Sequence, residues 1–117
     1  MKNPYRWDNL TSPQIKKLSE EGAIVLVPVG STEQHGPHLP VGTDALMATS
    51  MSEKLAAALS EKGVPCVVAP TIAVANSTHH MSFAGSLTLR TETYLALLRD
   101  YCHSIASHGF RKILLVN

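Results

Sequence analysis

The sequence predicts an α/β fold with a mainly parallel sheet, and three observations predict it. Short apolar runs rich in β-branched residues recur at "AIVLVPVG", "PCVVAP" and "RKILLVN". Segments with helical apolar spacing separate them, which is the pattern of parallel strands whose connecting helices cover both faces. The stretch after the first run, "VGSTEQHGPHLPVGTDA" over residues 29–45, crowds acids, histidines, glycines and prolines together. Proteins of this class place ligand sites there, just beyond the carboxyl ends of strands.

The elements follow in order. "TSPQIKKLSEEG" reads as a short helix, with Ser12 as N-cap, Pro13 at the first helical position and Gly22 at the end. "AIVLVPVG" is too short for a core helix and suits a strand buried on both faces. From Asp44 to about Lys62 a helix is expected, capped by Thr43, closed by Gly63, and striped by Leu46, Met47, Met51, Leu55, Ala58 and Leu59. "PCVVAP" is the second strand, and residues 71–90 form a long loop with some extended pairing. Thr91 is expected to cap a further helix with an apolar stripe of Tyr94, Leu95, Leu98, Tyr101, Cys102 and Ile105. "RKILLVN" completes the order as a third strand that reads as central.

Composition bounds the function. A length of 117 residues suits one domain, and 44% hydrophobic content suits a packed core. Ten Lys+Arg against nine Asp+Glu leave a net charge of +1, without the basic footprint of a nucleic-acid binder. Cys66 and Cys102 form no CxxC pair, which favours a reducing cytoplasm over a disulfide scaffold. No apolar run approaches the roughly 20 residues that span a bilayer.

Within the loop, Glu33 and His35 lie two residues apart, so in extended backbone their side chains share one side. Gly36, Pro37, Pro40 and Gly42 let the chain fold back and bring Asp44, at the start of the next helix, to the same place. Carboxylate and imidazole without thiolate suit Zn, Mn or a similar divalent ion. Each residue also has a plainer reading. Asp44 at a helix start is favoured by the dipole with or without an ion, Glu33 suits a solvated loop acid, and His35 suits a surface histidine. Ser31 is not in a G-x-S-x-G elbow, and neither phosphate-loop glycine pattern is present.

"VPVGSTEQHGPHLPVGTDALMA" resembles the signature segment of the creatininase (creatinine amidohydrolase) family. "NSTHHMSFAGSLTLR" is similar to that family's "H-x-x-F-P-G-T" loop, with Ala84 in place of proline and Ser86 in place of threonine. "GFRKILLVN" resembles the strand that leads into the family's "G-H-G-G-N" turn. The resemblance implies a three-layer α/β/α sandwich of which residues 1–117 are the N-terminal part. It also implies a two-metal centre of Zn or Mn, with Glu33 on one ion, His35 on the other and Asp44 bridging.

Ser77 and His80 would then face substrate, with His79 a neighbour; His103 and His108 read as ordinary helix residues. The function implied is hydrolysis of a non-peptide or cyclic amide C–N bond by metal-activated water, in a homo-oligomer that is a hexamer in the family. The alternative is a non-catalytic fragment or assembly subunit with an incomplete metal site.

Overall fold

The computed structural model describes residues 4–117. Its elements are α1 (Ser12–Glu20), β1 (Ile24–Pro28), α2 (Thr43–Glu61), β2 (Cys66–Val68), α3 (Thr91–Ser107) and β3 (Lys112–Val116). The three strands form one parallel sheet in the order β2-β1-β3, with Ile24 opposite both Cys66 and Lys112. The α/β fold expected from the alternation is therefore present.

β1 is the central strand, and Val25, Leu26 and Val27 are wholly buried. Its alternate side chains feed two cores. Val25 and Val27 pack with Val67, Ile105 and Phe110 beneath α1 and α3. Leu26 packs with Ala56, Cys66 and Val68 beneath α2. A strand sandwiched in this way needs apolar side chains on both faces, which is why it reads as an unbroken run.

The third strand, expected to be central, lies instead at an edge of the described sheet. Leu114 and Leu115 remain half exposed there.

Three expected helix caps move by one residue. Thr11, not Ser12, caps α1: Gln14 N–H donates to its hydroxyl and Thr11 N–H donates to Gln14 Oε1. Only Thr11 has a Gln three residues on, and that residue is what closes a capping box. Thr43 is the first residue of α2 rather than its cap, since its hydroxyl donates to Pro40 O. Thr91 likewise begins α3 and accepts from Asn76 Nδ2.

The expected stripe of α2 is corrected more substantially. Leu46, Met47 and Met51 are 60–67% exposed, while Ala48, Ser52 and Ala56 are buried. These small residues, with Leu55 and Leu59, obey the same three- and four-residue steps. They let the helix lie closer to the sheet than a row of large side chains would. On α3, Leu95 is exposed and Leu97 packs inward in its place.

Candidate metal centre

The site begins where β1 ends. Gly30 N–H donates to Ile72 O, and Ile72 N–H donates to Pro28 O, so the chain leaves the sheet pinned to the 71–90 segment. This is the extended pairing expected there. A Cβ placed on Gly30 would lie 2.6 Å from Ala45 Cα and 2.9 Å from the carbonyl carbon of Asp44. The first turn of α2 therefore rests directly against the strand exit.

Between these points the chain makes a tight return. Glu33 N–H donates to Val41 O, His35 bridges Leu39 antiparallel, and Gly36 turns the corner at φ +76°. Few residues but glycine adopt that angle at low cost. The return carries Glu33 and His35 back toward Asp44.

Glu33, His35 and Asp44 converge as expected: one potential ligand atom from each lies within 4.8 Å of the others. His35 Nε2 stands 3.2 Å from Asp44 Oδ1. Ser31 Oγ donates to Asp44 Oδ2 at 2.9 Å, which orients the carboxylate.

His35 Nε2 is buried and has no hydrogen-bond partner among the described residues. The Asp44 Oδ1 contact lies within ion-pair distance without hydrogen-bond geometry, and a buried imidazole nitrogen held only in this way is poorly satisfied. Beside two carboxylates, a divalent cation is the fitting partner, because this nitrogen and these oxygens are its preferred donors. The residues present fit a metal.

The 71–90 segment forms the other wall. Thr32 Oγ1 donates to Ala73 O, Leu87 N–H donates to Thr32 O, and Gln34 N–H donates to Ser86 Oγ. Serine at position 86 thus supplies the hydroxyl that docks the two loops. Ser77 is wholly buried and its Oγ is unpaired among the described residues, while its N–H donates to Thr88 Oγ1. His80 sits at the site, its Nε2 3.9 Å from Glu33 Oε2.

Two residues given no role by the sequence also belong here. His79 joins Glu33 and His80 in a second group of donors within 4.8 Å of one another, and its ring packs 4.2 Å from that of His80. Gln34 links the loops through its side chain, which contacts both His80 and Gly36. The doublet His79-His80 was a visible signal; Gln34 offered none until the turn at Gly36 was seen. A cavity of about 400 Å³ opens past the ends of β1 and β3, lined by Ser31, Glu33, Asn76, His79, Tyr94 and Leu115 among others.

A parallel sheet with helices on both faces and a carboxylate–imidazole cluster at its carboxyl edge define an α/β protein with a candidate site for a divalent ion. The chain belongs to the creatininase family, whose profile, described as creatinine amidohydrolase, matches residues 8–117.

It is 38% identical over 112 residues to a mycofactocin precursor peptide peptidase of Mycobacterium tuberculosis, covering 92% of this chain and 43% of that protein. It is 30% identical to a 3-dehydro-scyllo-inosose hydrolase of Thermotoga maritima, covering 95% of this chain and 34% of that one. Among solved structures it superposes on a manganese creatininase with a TM-score of 0.86 at 22% identity, covering 95% of this chain and 44% of that one. A mutant creatininase of Zn-Zn type gives 0.85 at 23%, covering 95% and 43%. The chain thus spans less than half the length of these relatives.

Proposed function

We propose that the chain carries the first metal-binding segment of a divalent-metal-dependent hydrolase of amide C–N bonds. The observation that carries the reading is the convergence of Glu33, His35 and Asp44 around a buried His35 Nε2 that makes no hydrogen bond among the described residues. Membership of a family whose named relatives are hydrolases supports it.

In this reading Glu33 would hold one ion, His35 a second and Asp44 both, with Zn or Mn as the metal and further donors coming from outside residues 1–117. A bound ion would lower the pKa of a water molecule and polarise the amide carbonyl. Ser31 keeps the Asp44 carboxylate turned toward His35. His80 contacts substrate, which the adjoining cavity admits beside Glu33, while the substrate role of the wholly buried Ser77 would require its loop to open.

Non-peptide or cyclic amides are one substrate class, and the identity to a peptide peptidase adds peptide amides as the other. The two free cysteines suit a cytoplasmic location. Among the described residues no helix is long and apolar enough to cross a membrane.

The test is elemental analysis of the purified protein together with hydrolysis assays on creatinine, formamides and short peptides. Stoichiometric Zn or Mn that is lost in His35→Ala is the expected result. Absence of metal from protein refolded with excess Zn and Mn, with the outside donors included, refutes the reading.

A second reading, an assembly subunit without catalysis, is favoured by the exposed Leu46, Met47 and Met51 on α2. Both readings include a homo-oligomer. Self-association without amide hydrolysis would select the second; a monodisperse monomer in sedimentation equilibrium would remove it, and would remove the oligomer from the first.

A further inference from the structure

Two groups of donors share Glu33, and the hydrogen bonds around Gln34 distinguish them. Gly36 N–H can only donate, and it meets Gln34 Oε1 at 2.9 Å. The opposite amide orientation would set two donors against each other, so the oxygen of Gln34 faces Gly36. Its Nε2 amide group then faces His80 Nδ1 at 3.1 Å.

That amide nitrogen has hydrogens and no lone pair to offer, so His80 Nδ1 must accept. A neutral imidazole carries one proton, and with Nδ1 accepting it resides on Nε2. This is the atom 3.9 Å from Glu33 Oε2. Metal-ligating histidines are wired the other way: the free ring nitrogen donates to a carbonyl or carboxylate and leaves the second lone pair for the ion.

We infer that Gln34 holds His80 as the Nε2–H tautomer, so that His80 is a hydrogen-bond donor at the site and not a metal ligand. Its N–H is offered to the space it shares with Glu33, where an oxygen atom of a substrate can accept it. Gln34 is the positioning residue. The separation of roles follows: His35, whose buried Nε2 faces Asp44 Oδ1 without a hydrogen bond, takes the metal, and His80 takes the substrate. The tautomer stands independently of function, and the substrate role rests on the hydrolase reading above.

Long-range 1H–15N spectra at alkaline pH, where imidazoles are neutral, test this on the whole protein, with His80→Gln assigning the signals. The expected result is a protonated-type shift at His80 Nε2 and an unprotonated-type shift at Nδ1, both unmoved by Zn2+, while the His35 signals move. Gln34→Glu replaces the amide donor with an acceptor and is expected to invert the His80 tautomer; Zn2+ uptake in His80→Gln should match wild type.

An unprotonated Nε2 on His80 in the wild-type protein, or a His80 shift that follows Zn2+, overturns the inference even if the protein is a metal hydrolase. A protonated Nε2 in a protein that takes no Zn2+ sustains it while removing the hydrolase reading.

Discussion

Gly30 and Ala45 touch backbone to backbone: the strand exit and the first turn of α2 leave no room for a side chain between them. Gly30→Ala would put a Cβ 2.6 Å from Ala45 Cα, and neither neighbour is the flexible end of a side chain. The helix start must therefore retreat. Overpacking of this kind costs on the order of 1–3 kcal/mol. Because Asp44 rides on that turn, its distance from His35 must also change. The expected outcome is a lower urea midpoint together with weaker Zn2+ binding by calorimetry. Wild-type Zn2+ affinity in a folded Gly30→Ala protein would show that this contact does not position Asp44.

Ser31 acts on the same carboxylate from the other side. Its hydroxyl donates to Asp44 Oδ2, a hydrogen bond to a charged group. Residues that orient metal ligands in this way typically account for roughly 10–100-fold in metal affinity. Ser31→Ala should lower Zn2+ affinity within that range, and Ser31→Thr, which keeps the hydroxyl, should restore most of it. Equal losses in both variants would point to crowding rather than to the hydrogen bond.

Much of this architecture was legible in the sequence, for reasons that differ by element. β1 announced itself because a strand covered on both faces has no polar positions to blur the signal. The Glu33–His35–Asp44 convergence was legible because glycines and prolines in the intervening loop permit only a short return. The buried face of α2 was not legible, since two overlapping rows share helical spacing and large apolar residues outweigh alanine in any reading by hydrophobicity. Packing chose the row with Ala48, Ser52 and Ala56, which allows close approach. The Gln34–His80 contact was hidden for another reason. It joins two loops 46 positions apart, and only tertiary structure relates them.

Tyr101 ties α3 to the end of the sheet by donating its hydroxyl to Pro70 O. Burial, with smaller contributions from the charges of Asp8 and Cys102, pushes its pKa from 10.0 up to about 12. A raised folded-state pKa means that the folded protein keeps a proton that the unfolded chain releases. The resulting stabilisation is complete below pH 10 and is lost as pH rises through about 12. Urea unfolding should therefore show falling stability across that window. Tyr101→Phe should flatten that part of the slope and cost about 0.5–1.5 kcal/mol at neutral pH from the missing hydrogen bond. A slope unchanged by the substitution would assign the alkaline loss to other groups.

His35 separates the stability of the fold from the stability conferred by an ion. Without metal its Nε2 makes no hydrogen bond among the described residues and only a 3.2 Å contact with the partly exposed Asp44 carboxylate, so His35→Ala removes little beyond that ion pair. The metal-free variant should match metal-free wild type to within about 1 kcal/mol, as expected when one partly exposed ion pair is lost. A ligand that binds only the folded state adds RT ln(1 + [L]/Kd), about 2.7 kcal/mol when its concentration is a hundredfold above Kd. Wild type should gain that increment on titration with Zn2+, seen as a rising Tm, and His35→Ala should gain little of it. If both proteins rise equally, the ion is bound elsewhere, and the loop after β1 is a structural turn whose histidine nitrogen is buried for reasons other than metal.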